Sequence, residues 1–200
     1  MKLAATQHLY AYWNQLRGAR SAPERDDIDP GAIRGVLADT FILDFDAQRA
    51  FPTRIVGTRT NALFLRELRG APFLDLWREQ DRQEMRAVLA GLADEALPFL
   101  IGASGTPPGF APVEIEFLLL PLRHHGDTHA RVLGCCAPDA APFWLGLVGV
   151  EPLALLTLRA LGPGAPGPDQ PPTQTAGSRK FGRAPRERRH GHLFVYFANR

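Results

Sequence analysis

Cysteine is nearly missing. The 200-residue chain has two, Cys135 and Cys136, and they are neighbours. Adjacent cysteines seldom bridge, so no disulfide framework is expected, and the usage fits a reducing cytosol. Lysine is also scarce. All but two of the 23 basic residues are arginine, which reads as GC-rich coding bias rather than chemistry. No apolar run approaches the roughly 18 residues of a membrane helix. The apolar stretch around Phe143 to Val150 is short and is interrupted by Gly146 and Gly149. The opening MKLAATQHLYAYW has polar residues where a secretory leader needs an apolar core. A cytoplasmic protein is therefore expected. Catalytic signatures are missing too: there is no G-x-x-x-x-G-K-[ST], no G-x-S-x-G and no H-E-x-x-H, and no enzymatic activity is expected. The Gly-rich SGTPPG at 104–109 lies between two strand candidates with no helix after it, so it reads as a turn.

What is present suits one domain of about 100–160 residues with added segments. The composition is 45% hydrophobic. The net charge of +2 is unevenly placed. Residues 178–200 carry seven Lys/Arg against Glu187, leaving a basic tail on a mildly acidic body.

Periodicity divides the chain further. Leu9, Tyr12, Trp13 and Leu16 form an i, i+3, i+4, i+7 stripe on a helix over 3–17. Asp29 and Pro30 read as the cap and first residue of a short helix ending near Leu37. TFILDFD and FPTRIV read as a hairpin. Gly57-Thr58-Arg59 then breaks the strand rhythm before a helical stretch from Asn61 to Leu68. RGAPFLDLW reads as a loop, and Met85, Val88, Leu89 and Leu92 mark a helix over 78–96. Three strands are expected near 98–104, 113–122 and 129–137, with HHGD as a hairpin turn between the last two. Residues 152–161 are apolar, strand or helix. This order predicts an α+β fold around one antiparallel sheet. From 162 to 192 the chain is Gly/Pro-rich and then basic, with little to bury, and disorder is expected. The closing HLFVYFANR is strand-like and could add to a sheet edge.

The same order is used by PAS domains. Gly57-Thr58-Arg59, Leu63-Phe64, Arg66-Glu67-Leu68, Gly70 and Phe73 through Trp77 together resemble a family of small stand-alone bacterial proteins built around one PAS domain. The opening LYAYWNQLRGAR and the later LLPLRHHG and FWLGL resemble it as well. The resemblance implies a five-stranded antiparallel sheet flanked by helices, and a signalling role. It implies no particular ligand, because PAS domains bind haem, flavin, small organic acids or nothing. The expected divisions are a helical extension at 1–38, the PAS domain at 39–161, a linker at 162–192 and a strand-like close at 193–200.

Candidate sites follow from position. Arg59 and Asn61 stand where the helices that border a PAS cavity leave the sheet. A guanidinium beside a helix start suits a carboxylate ligand. The alternative is that Thr58 or Thr60 caps the helix and Arg59 is solvated or paired with an acid. Phe64, Phe73 and Trp77 either line a ligand pocket or plug the core, and Phe64 and Trp77 join Arg59 and Asn61 as the ligand-binding candidates. His124, His125 and His129 lie near Cys135 and Cys136. Adjacent strand residues face opposite ways, so no metal site is expected. No cysteine falls between residues 57 and 97, which argues against flavin photochemistry through a thiol. Leu9, Tyr12, Trp13 and Leu16 are the candidate homodimer face. The expected function is a sensor or protein-interaction module without catalytic output. The alternative is a regulator that binds nucleic acid or an anionic membrane through its basic tail.

Overall fold

In a computed structural model, residues 1–46, 51–124, 127–150, 152–162, 187–190 and 193–196 are described, those of 127–130, 187–190 and 193–196 by backbone alone. Helix α1 spans Ala4–Arg17 and stops at Gly18, whose φ of 54° is left-handed. Its N-terminus is pinned to the sheet by one carboxylate. Glu116 accepts from the backbone N–H of Lys2 at 2.9 Å and of Leu3 at 3.2 Å, and from the Thr6 hydroxyl. An acid there complements the free N–H groups and the helix dipole.

The helix expected after Asp29 is instead a chain of turns. Asp29 does cap it, accepting from Gly31 N–H at 2.8 Å. The bonds that follow have three-residue spacing, Ala32 to Asp29, Arg34 to Gly31 and Val36 to Ile33. Gly31 and Gly35 lower the helix propensity of so short a piece.

A single sheet follows, with strands β1 Thr40–Asp44, β2 Thr53–Val56, β3 Phe99–Gly105, β4 Val113–His124, β5 Asp127–Pro138 and β6 Ala154–Ala160. Five of them run β2-β1-β5-β4-β3, all antiparallel, and β6 pairs antiparallel with β3. The α+β reading therefore holds, and the five-stranded core is extended by a sixth strand. Beyond it, β7 Glu187–His190 and β8 Leu193–Tyr196 pair with each other, and β8 lies parallel to β6. Helix α2, Thr58–Phe64, and helix α3, Arg82–Glu95, lie between β2 and β3, with one short 3-10 turn at Phe73–Leu76 and another just before α3.

The strand residues sort by parity into two cores. Phe41, Leu43, Ile115, Phe117, Leu119 and Cys136 belong to an inner core under α2 and α3. Ile42, Leu118, Leu120, Leu122, Leu133 and Cys135 belong to an outer core under α1 and the turns after it. With both faces covered, β1 is buried from Thr40 to Leu43, although antiparallel strands often leave one face wet.

Candidate functional site

The turn between β2 and α2 is built by close approach. Gly57 has an ordinary φ of −70°. A Cβ there would lie 2.6 Å from the carbonyl oxygen of Leu37 and closer still to that of Ala38. Only glycine lets the turn pass under the 37–39 segment. Gly57 N–H donates to Thr40 O at 2.7 Å.

Arg59 is committed at once. Its Nε and Nη2 donate to the two oxygens of Asp39 at 2.7 and 2.6 Å. This is the bidentate fork that a carboxylate accepts best. Asp39 is buried, and the bond to it raises the Arg59 pKa above its ordinary value. The carboxylate that the arginine suits is thus supplied by the chain. Neither threonine caps α2. Asn61 is also engaged: its carbonyl accepts from Leu68 N–H at 3.2 Å and its amide donates to Glu67 at 3.3 Å. These bonds fold the chain back beyond Leu65, whose left-handed φ of 51° ends α2.

The inner face of the sheet is filled. Phe41 stacks on Phe73 at 5.6 Å, and Trp77 tilts against Phe117 at 5.4 Å. Phe73 meets Trp77 and Phe117 edge-on at 6.0 and 6.1 Å. Such geometries are the favourable ones for ring quadrupoles. Phe64 and Trp77 are both buried in this core. The hole left among Phe41, Thr60, Phe64, Phe73 and Phe117 measures about 10 Å³. That is room for about one water. The buried Thr60 hydroxyl borders it; among the described residues neither that hydroxyl nor the Trp77 indole N–H elsewhere in the core has a partner.

Open space lies on the outer face. A groove of about 550 Å³ runs between the 25–42 segment and the end of β2, with Ile28, Ile33, Leu37 and Ile55 among its walls and Arg25 and Arg34 beside them. No acid lines it. Sequence reading missed it because its walls come from two segments with no shared motif. A second surface feature is aromatic. Phe143 is 83% exposed and meets Phe110 at 5.4 Å, while Phe110 lies 6.1 Å from Trp144. The same loop carries the exposed Leu147 and is bonded to α2 through Gly146 N–H to Ala62 O at 3.2 Å.

Of the helix stripe, Leu9 and Trp13 are buried against the chain's own sheet. The Trp13 indole donates to Pro121 O at 2.9 Å. Tyr12 and Leu16 are partly buried beside them, and Tyr12 Oη accepts from Asp29 N–H at 2.8 Å. The amphipathic stripe exists, but the sheet of the same protomer covers it.

Both cysteines are buried on opposite faces. Burial pushes the Cys135 thiol up to about 12, with Asp39 and Glu116 adding to the effect, and raises Cys136 well above its ordinary value. Neither is a reactive thiolate. Among the described residues, no three His, Cys, Asp or Glu side chains gather to hold a metal ion. His125 and the side chain of His129 lie outside the described residues, as do most of the 162–192 linker and the basic tail's side chains. Among the described residues, no helix is long and apolar enough to cross a membrane.

A family model described as a PAS domain matches residues 1–137. The chain belongs to that family, and the strand order β2-β1-β5-β4-β3 is the sheet it contributes. The match takes in α1 and the turns after it, and ends before β6. The crystal structure of a Rhodobacter sphaeroides LOV protein is similar over 58% of this chain and 71% of that one, at 12% identity and a TM-score of 0.42. No curated protein matches.

Proposed function

We propose that this chain is a non-catalytic PAS signalling module that acts by docking a protein partner, with no organic ligand held inside the domain. The filled inner face carries this reading. A drug-sized or cofactor-sized ligand needs about 300 Å³ or more, and the space beneath α2 is about 10 Å³. Phe143, Phe110 and Leu147 supply the exposed apolar surface that a partner would cover. Self-association through Leu9, Tyr12, Trp13 and Leu16 would require α1 to leave the sheet, so the docking face is placed on the 142–150 loop instead. The tail alternative rests on charge alone.

Native mass spectrometry and an absorbance spectrum of the purified chain test the interior. The expected result is the mass of the bare chain and no visible band. A bound haem or flavin, or any small molecule whose retention survives Ile55→Glu, would overturn the reading. Photocrosslinking from position 143 in cells tests the surface. A discrete adduct that Leu147→Asp abolishes is expected. No adduct from position 143 would move the docking face elsewhere.

A further inference from the structure

We propose that the outer-face groove binds a small amphipathic carboxylate. Its apolar tail lies along Ile28, Ile33, Leu37 and Ile55, and its anionic head meets Arg25 and Arg34. The groove of about 550 Å³ falls within the range of about 300–1,000 Å³ typical of small-molecule sites. Its walls are mainly aliphatic, and two of them are left bare: Leu37 is 41% exposed and Ile55 48%. An apolar tail would take that surface out of water.

The charge is one-sided. Among the described residues two guanidiniums line the groove and no acid does. Among the described residues Arg34 makes no ion pair, and the partner of Arg25 is the exposed Asp26 at a long 3.8 Å. Arg59 is not available, being held by Asp39. The polar requirement is small as well. The Thr40 hydroxyl already donates to Leu37 O at 2.9 Å. A ligand with one anionic end and an apolar body satisfies this lining, whereas a sugar or nucleotide would bring polar groups that lack partners.

A polypeptide strand is disfavoured by the edge it would need. Thr53 N–H already donates to Ala71 O at 3.0 Å, and Gly70 N–H donates to Thr53 O at 2.6 Å. The 70–71 loop therefore occupies the outer edge of β2 at Thr53. Only Arg54 to Val56 remain, too short to template an added strand.

The test is an NMR titration of the isotopically labelled full chain with sodium hexanoate, octanoate and decanoate below their micelle concentrations. Saturable shifts at Ile28, Leu37 and Ile55 are expected. Affinity should rise with tail length, by up to about fourfold per fully buried methylene. The double variant Arg25→Gln/Arg34→Gln should weaken decanoate binding by about fivefold. Ile55→Glu should abolish it, and Leu37→Asn serves if that variant fails to fold. Decyltrimethylammonium should bind more weakly than decanoate. Any of four results overturns the proposal. They are no saturable binding at any length, equal binding of the cationic amphiphile, shifts confined to the Phe41–Phe117 interior, and a concentration-dependent dimer that Ile55→Glu dissolves. The last would assign the groove to a second copy. The groove and the 142–150 loop are separate surfaces, so a failed titration leaves the docking reading standing, and a failed crosslink leaves the groove standing.

Discussion

The two faces of this sheet are built from the same strands and have opposite interiors. On the inner face Phe41, Phe73, Trp77 and Phe117 interlock, and the hole beside Phe41, Phe73 and Phe117 measures about 10 Å³. On the outer face, aliphatic residues meet a run of turns and leave about 550 Å³ open. Neighbouring residues of one strand serve the two sides, Phe41 inside and Ile42 outside, Cys136 inside and Cys135 outside. One face can therefore close around a core while the other keeps space, with no change of backbone.

The strongest way to break that contrast is to hollow the closed side. Phe117→Ala should cost about 3–5 kcal/mol in denaturant unfolding. If the variant still folds, xenon or benzene should bind it and not the parent, as seen by NMR. A loss below about 1 kcal/mol would mean that the rings do not fill the inner face as described. Next in size is the seam between the faces. Gly57→Ala forces a Cβ against the carbonyls of Leu37 and Ala38 and should cost about 1–3 kcal/mol. Chemical-shift changes reaching both α2 and the 37–39 segment would locate the damage.

Alkaline pH probes both faces together. The Cys135 thiol stays neutral in the fold up to about 12, against an ordinary value of 9.0. In the unfolded chain it ionises at the lower value, so the unfolded state binds fewer protons between the two. Stability is fully present below about pH 9 and should fall as pH rises from there towards 12, by about 1 kcal/mol at pH 10. Cys135→Ala should flatten part of that slope. A flat profile in the parent would contradict the burial of the thiol. The smallest effect is expected on the open side. Ile55→Glu alters a half-exposed wall and should change stability by no more than about 0.5 kcal/mol. A large loss would show that the groove is packed rather than open.

Much of this architecture is legible in local pattern. The alternation Val113, Ile115, Phe117, Leu119 marks β4, and the stripe Met85, Val88, Leu89, Leu92 marks α3, because period alone decides the element. Gly57 announces a break for a sound reason, although the requirement turned out to be backbone approach rather than a special φ. What pattern does not carry is the partner. The α1 stripe shows that something covers Leu9 and Trp13. It does not say that the cover is the protomer's own β4 rather than a second copy. Arg59 advertises a need for a carboxylate, and the one that answers is twenty positions earlier, brought near by the β1–β2 pairing. The groove was the least visible of all. Ile28, Leu37 and Ile55 are unremarkable singly and acquire meaning only when the hairpin lays β2 beside the turns.

The fork between Arg59 and Asp39, with Gly57 N–H locked on Thr40 O, has a mechanical consequence. It rivets the outer covering to the inner one at the rim of the sheet, outside the hydrogen-bonded ladder. Leu37 and Ala38 on one side of the rivet and Gly57 and Thr58 on the other all border the groove. Any force that spreads or closes those walls bears on the first turn of α2 directly. The contact joins the two coverings at the edge of the sheet, through side chains and one backbone bond.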